Sequence, residues 1–368
     1  MAAPEATLRT RRGALGVETF DTIVIGAGQA GLSVGYYLKK QGCSFTILDA
    51  NEQIGGSWRT RTWNSLRLFT PARYDGLPGW PFPAPGWSYP TARETAHYLE
   101  AYADRFELPV RLETPVDRLS KQGDRYLVES GERRFEARHV VVATGFYGVP
   151  AIPEFASGLD PRVVHMHSSE YREPSQLQPG DVLLVGAGNS GADIAIEVST
   201  NHRTWLSGRD KGQVPIRIGT RRARLVLPIL WFVASHVLTV RTPLGRKVRP
   251  HVLENGAPLI RVKNDDLRAA GVERVPKVVG VEEGLPVLED GRVMDVGNVI
   301  WCTGFRQDFS WIDVPVFDGD TGPIQERGVT PEPGLYFVGL DFLYSFTSEN
   351  VGGVRRDAKH IARRIAAA

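Results

Sequence analysis

Two nearly identical glycine turns constrain this chain more than any other feature. Ile23 to Gly31 reads IVIGAGQAG, and Leu183 to Gly191, 160 residues later, reads LLVGAGNSG. Each follows an apolar run and precedes a stretch of helical character, so each reads as a strand, a tight turn and a helix start. In GxGxxG the first glycine (Gly26, Gly186) permits the turn. The second (Gly28, Gly188) lets a pyrophosphate approach the backbone, and the third (Gly31, Gly191) lets the helix pack on the strand. The phosphates then sit on the helix N-termini, opened by Gln29 and Ala30 in one copy and by Asn189 and Ser190 in the other. Free N–H groups there favour negative charge. One such turn is weak evidence. Two in matching context predict a duplicated dinucleotide-binding unit.

The rest of the chain supports the duplication. Phe20 to Gly26 and Ser44 to Asp49 read as strands around the first helix, and Asp181 to Gly186 opens the second unit. Buried strands also end in Thr-Gly at His139 to Gly145 and at Val296 to Gly304, and Gly334 to Leu340 is a further strand. Thr91 with Glu94 predicts a capping box for a helix from Ala92, and Val351 to Ala367 predicts a final helix. The fold class is therefore α/β, with two Rossmann-like dinucleotide-binding domains, the second inserted into the first. Residues 20–152 and 308–368 form the first domain and 153–307 the second, after an N-terminal tail at 1–19.

The two units differ in ribose chemistry. Asp49 ends the first unit's second strand, where an acid accepts hydrogen bonds from a ribose diol and repels a 2′-phosphate. That suits FAD or NAD. In the second unit Ser207 ends the strand and Arg209 follows two residues on, a hydroxyl and a guanidinium that suit a phosphate monoester. That site reads as NADPH. Two nucleotide sites of opposite character imply electron transfer between cofactors.

With these motifs the sequence resembles the flavin-containing monooxygenases, and within them the YUCCA-type branch and its bacterial relatives, over residues 20–368. The supporting motifs are GAGQAG (26–31), GGSW (55–58), YPT (89–91), ATG (143–145), HSSEY (167–171), GAGNSG (186–191) and CTG (302–304). The resemblance implies that Gly55, Gly56, Ser57 and Trp58 lie along the flavin and that Val116 presents its backbone to the adenine. It places Ala143, Thr144 and Gly145 near the FAD pyrophosphate, and Gly339 with Asp341 near the ribityl chain or flavin ring. Val351 to Gly353 would aim N–H groups at the flavin pyrimidine, and His167 and Thr303 would lie beside NADPH. It further implies NADPH reducing FAD, O2 adding at flavin C4a, and the resulting (hydro)peroxide oxygenating a small organic substrate. In such chemistry the flavin is the reagent, and no catalytic side chain is assigned.

The chain departs from the family pattern twice. In the linker motif F-x-G-x-x-x-H-x-x-x-Y, His167 and Tyr171 fit, but Pro161 and Val163 replace Phe and Gly. An asparagine that animal-type members place near the oxygen-reacting flavin face corresponds to Phe69, with Thr70 as a neighbouring hydroxyl. Other features have plainer readings. His165 and His167 form an HxH pair with no further ligand nearby, so no metal site is predicted. Tyr98, Tyr102 and Phe106 at helical spacing predict core packing. The Pro- and Trp-rich run Leu77 to Pro90 is either a substrate mouth or a rigid surface loop.

The net charge of +2 excludes a globally basic nucleic-acid binder. Cys43 and Cys302 are the two cysteines, far apart. They form no disulfide framework, and they fit a reducing cytoplasm. A thioredoxin-reductase-like activity needs a CxxC that is absent. Reduction of a carrier protein, or a non-catalytic redox sensor binding both cofactors, stays open. Arg9, Arg11 and Arg12 precede no apolar h-region, so the first residues read as a tail and not a signal peptide. Residues 211–253 hold nine basic residues and no acid around the sixteen-residue apolar run Leu225 to Val240. That run is too short to span a bilayer, which takes about 20 residues. A lid, a subunit interface, a peripheral membrane contact and plain core are its readings.

Overall fold

The computed structural model describes residues 16–145, 148–319 and 322–368, so Arg9, Arg11 and Arg12 lie outside it. Its backbone is organised by two sheets. In the first, strand Glu18–Ile25 pairs in parallel with Phe45–Leu48 on one side and Arg133–Val142 on the other. Leu335–Phe337 joins Arg133–Val142 in parallel, and Arg118–Gln122 with Arg125–Ser130 extends the sheet as an antiparallel meander. The strand begins at Glu18, inside the segment expected to be tail. Phe135 pairs with Glu18 in register, and Arg111 binds the Glu18 carboxylate through two nitrogens at 2.7 Å.

The second sheet is parallel throughout, in the order Glu273–Val275, Thr204–Ser207, Val182–Val185, Asn298–Trp301, Val164–His167. Its strands all fall between residues 164 and 301, while the first sheet draws on residues before 143 and after 311. The second unit is thus inserted into the first. The chain crosses out and back through Val149–Pro150 and Phe305–Arg306, which pair with each other as a two-stranded antiparallel ribbon.

The glycine turns pack as their sequence requires. Gly26 has φ +108°, and a Cβ there would lie 2.5 Å from Ala143 O. At Gly31 a Cβ would lie 1.8 Å from Gly26 O. Gly186 and Gly191 repeat both constraints, against Cys302 O at 2.2 Å and Gly186 O at 2.0 Å. Four of the six turn glycines are therefore fixed by chain against chain. Helices Gln29–Lys40 and Asn189–Val198 follow.

Thr91 and Glu94 form the expected capping box on helix Ala92–Arg105. Tyr98 and Tyr102 are core residues. The Tyr98 hydroxyl accepts from Leu77 N and donates to Trp80 O, both at 2.7 Å, and Tyr102 donates to Pro78 O at 2.6 Å. These bonds pin the start of the Leu77 to Pro90 run, at Leu77, Pro78 and Trp80, to helix Ala92–Arg105. The final helix runs Arg355–Ala366, four residues later than predicted. Gly352 and Gly353 instead lie against Tyr74 O and Thr347 O, where a Cβ would stand 1.8 and 1.7 Å away.

Candidate functional site

A cavity of about 490 Å³ opens over the first glycine turn. Gly26, Gly28, Gln29 and Ala30 form its floor, and Asp49 stands at one end. Gly56, Ser57, Trp58 and Thr70 form one wall. Val116, Ala143, Thr144, Gly145 and Gly339 complete it. Residues 220 and more positions apart in sequence thus converge on one site. Gly31 lies beneath the floor, in the packing role predicted for it.

Gly28 differs from its neighbours. Its φ is −76°, ordinary for any residue, and nothing lies within 4 Å of where its Cβ would be. The fold does not require a glycine there. A ligand pressed against the helix N-terminus would. Asp49 accepts a hydrogen bond from Ala27 N at 2.6 Å through Oδ2, and its Oδ1 accepts from Asn51 N and Nδ2 at 2.9 and 2.6 Å. The carboxylate thereby holds the glycine turn and still lines the cavity, with about one of its roughly four acceptor sites left over.

Asp341 stands behind the cavity wall and not in it. Its carboxyl is hydrogen-bonded to Glu349, which does line the cavity. Burial and the adjacent Asp341 carboxyl raise Glu349 well above the ordinary carboxylate range. Gln29 ties this wall to the next, accepting from Trp58 Nε1 at 3.5 Å and donating to Glu349 O at 3.4 Å. A glutamate with a raised proton affinity contributes stability at low pH that is lost as pH rises through its folded value. Glu349→Gln should therefore flatten the fall in melting temperature between mildly acidic and alkaline buffer, which a thermal melt across pH checks.

Two expected contacts are reassigned. The Thr70 hydroxyl donates to Asp75 Oδ1 at 2.6 Å, so it is committed within the protein although Thr70 lines the cavity. Desolvation pushes the buried Asp75 up to about 7. Of the expected donors Val351 to Gly353, Gly353 N is committed to Asn350 O at 3.0 Å, while Val351 lines the cavity.

The second turn repeats the first at Gly186, Gly188, Asn189, Ser190 and Gly191. The space around Gly188 is again open, with only the Lys211 ammonium approaching its Cβ position, at 3.8 Å. Lys211 was not singled out from sequence. Its amine is held below the usual lysine value by burial, and it stands where a pyrophosphate would meet the helix N-terminus. The Asn189 side chain fixes the neighbouring loop, donating to Pro258 O at 3.1 Å and accepting from Ile260 N at 2.9 Å.

The ribose end requires a correction of register. Gly26 N donates to Leu48 O, and Gly186 N donates to Ser207 O. Ser207 therefore matches Leu48, and the counterpart of Asp49 is Gly208. The Ser207 hydroxyl is buried and satisfied, donating to Pro276 O at 2.8 Å and accepting from Val278 N at 3.0 Å. It takes no part in choosing a cofactor. Ser207→Ala should instead lower unfolding free energy by about 2 kcal/mol, since it orphans two buried backbone groups, while leaving the NADPH-to-NADH preference unchanged; denaturant melts and initial rates measure the two. Gly208 has φ +133° and no side chain to meet a phosphate. Arg209 follows it directly, exposed and unpaired among the described residues. Asp210 is occupied with Gly212 N and Asn264 Nδ2.

His167 is also reassigned. Its ring is fully buried, and Nδ1 accepts from Ser169 N at 3.1 Å while Nε2 donates to Gly304 O at 2.9 Å. Burial lowers its proton affinity. It fastens the interdomain connection as a neutral ring and has no nitrogen left for a nucleotide. Thr303 behaves differently: its hydroxyl is buried without a partner, an orphan that a ligand would satisfy. Cys302 beside it is half-buried, its thiol pushed up to about 12 by desolvation. Among the described residues no cluster of His, Cys, Asp or Glu is grouped to hold a metal ion, and Trp301 Nε1 donates to His165 Nδ1 at 3.4 Å.

The donor set fits two dinucleotides, with open middle glycines, helix N-termini, an acid at one ribose position and an arginine beside the other. Comparisons with known proteins agree. Residues 23–213 match the pyridine nucleotide-disulphide oxidoreductase family model. The chain is 39% identical to an uncharacterised oxidoreductase described as CzcO-like from Geobacillus kaustophilus, over 94% of this chain and 98% of that one. It is 28% identical to a probable indole-3-pyruvate monooxygenase, YUCCA3, of Arabidopsis thaliana, over 94% and 86%. Among solved structures, a flavin-containing monooxygenase from Stenotrophomonas maltophilia matches with a TM-score of 0.77 and 31% identity, over 95% of this chain and 99% of that one. The chain belongs to the flavin-containing monooxygenases of the pyridine nucleotide-disulphide oxidoreductase family, flavin-dependent oxidoreductases that bind FAD and NAD(P).

Proposed function

We propose that this protein is an NADPH-dependent FAD monooxygenase acting on a small organic molecule. When bound, the flavin takes reducing equivalents from NADPH and applies them to O2, so that one oxygen atom enters the substrate and the other leaves as water. The observation that carries this reading is the pair of ligand-open glycines, Gly28 and Gly188, followed by Asp49 in one unit and by Gly208-Arg209 in the other.

The chain's own residues bind, orient and exclude water. Trp58 and Phe69 present apolar surface to the cavity, and Gln29 braces three segments of its wall. No thiol is set up for electron relay, because desolvation raises the proton affinity of both Cys302 and Cys43. That argues against disulfide reduction.

A second reading is reduction of O2 or of a separate carrier protein with no oxygen transfer. It is favoured by the absence of a free side-chain amide or hydroxyl at Phe69 and Thr70, since Thr70 is bonded to Asp75. One experiment separates the two. The FAD-loaded enzyme is supplied with NADPH, ¹⁸O2 and a panel of thioethers, ketones and 2-oxo acids. Labelled product with peroxide falling in proportion supports the monooxygenase. Full recovery of reducing equivalents as peroxide with every substrate overturns it.

A further inference from the structure

Residues 211–253 form a strap rather than a buried core element. Helix Arg221–Phe232 runs into a turn of π-helix at Val233–Val237, and helix Pro243–Asn255 follows. The inner side of the strap is fastened to the FAD-binding part of the chain. Trp231 stacks on Tyr74 with ring centroids 4.8 Å apart. Val240 N donates to Tyr344 O at 2.9 Å, Phe346 N donates to Leu238 O at 3.0 Å, and Arg356 donates to Ser235 O.

The outer side carries a different chemistry. Leu225, Ile229 and Phe232 recur at helical spacing and are 77%, 63% and 57% exposed. Leu244 and Leu253 on the second helix are about half exposed. Arg221, Arg222 and Arg224 flank the first stripe, Arg241 stands between the two helices, and Arg246 and Lys247 lie on the second helix between Leu244 and Leu253. All six are exposed, and none is ion-paired among the described residues. A contiguous apolar stripe in water is costly and marks a contact surface. Cations beside it restrict what can cover it.

We propose that the outer face of residues 221–253 docks on an anionic lipid surface, lying in the interface and not crossing it. Amphipathic helices with aromatic and aliphatic residues on one side and Lys or Arg beside them bind in this way. No helix of the described residues is long and apolar enough to span a bilayer. A second copy of the chain is disfavoured as the occupant, because facing straps would bring two sets of like charges together. The inference stands on this surface and is independent of the monooxygenase reading.

The test is flotation of the FAD-loaded full chain with two kinds of vesicle, phosphatidylcholine alone and phosphatidylcholine with phosphatidylglycerol. Binding to the second kind, weakened as salt shortens the Debye length below about 8 Å, is expected. Changing Leu225, Ile229 and Phe232 together to serine should lower partitioning by about tenfold or more. A separate change of Arg221, Arg222 and Arg224 to glutamine should do the same while preserving the stripe. These side chains are solvent-facing, and unchanged near-ultraviolet circular dichroism confirms that each variant is folded. The proposal is overturned if the parent protein stays unbound with both vesicles, or if both variants float as the parent does. It is also overturned if sedimentation shows a dimer that the serine variant abolishes, which would make a second copy the occupant.

Discussion

Gly28→Ala should give a folded, colourless protein. The structure makes this sharper than sequence alone, because nothing in the chain lies within 4 Å of the added methyl and the backbone angle is ordinary. The unliganded fold should therefore melt where the parent's does. The methyl would occupy the approach of the pyrophosphate to the helix N-terminus. Overpacking a closed site by one methyl costs about 1–3 kcal/mol, a roughly ten- to hundredfold loss of FAD affinity. Gly26→Ala and Gly31→Ala supply the contrast, since their methyls would meet Ala143 O and Gly26 O and should cost the fold itself. The visible absorbance of oxidised flavin in the purified protein, together with thermal melts of the apo forms, separates the two classes. A yellow Gly28→Ala protein with full FAD would mean that no phosphate lies on this turn.

Arg209→Ala should reverse or erase a preference for NADPH. A charge-assisted hydrogen bond contributes about 1.5–3 kcal/mol, so apparent NADPH affinity should fall by roughly ten- to a hundredfold while NADH is little changed. Lys211→Ala should behave otherwise. Its ammonium lies near the open face of Gly188, by the part common to both nucleotides, so both should weaken together. Stopped-flow flavin reduction against nucleotide concentration gives the two affinities. Equal losses for Arg209→Ala with either nucleotide would make Arg209 structural.

The parts of this site legible in the sequence are those whose requirement is local. A tight turn followed by a helix needs glycines at fixed spacing, so the two turns declare themselves, and Asp49 is found by counting from them. Thr91 and Glu94 likewise cap their helix within a single turn. Ser207 was misplaced by one residue because only strand pairing counts the end of a strand. The Gly186 N to Ser207 O bond fixes that register, and it links residues 21 apart. Glu349 and Lys211 escaped notice because each comes from a loop that long-range folding brings to the site. The last helix starts late because two glycines, which sequence reads as tolerable in a first turn, are used for close contacts with Tyr74 and Thr347. His167 shows the opposite failure: a motif histidine expected beside a ligand spends both nitrogens on the connection between sheets.

That connection has a mechanical consequence. The inserted unit is joined to its host by the ribbon of Val149–Pro150 against Phe305–Arg306. It is joined again where the strap meets Tyr74, Tyr89 and Tyr344, with the Tyr89 hydroxyl accepting from Gly219 N at 2.9 Å. A third seam lies at residues 60–66, where Trp63 packs with Tyr171, Leu184 and Ile194, Asn64 N donates to Arg172 O at 2.9 Å, and Arg172 donates to Thr62 O at 3.1 Å. Each further attachment removes a direction in which the inserted unit could swing, so the strap serves as a brace, and loosening it leaves the ribbon and the 60–66 seam to keep the two glycine turns aligned.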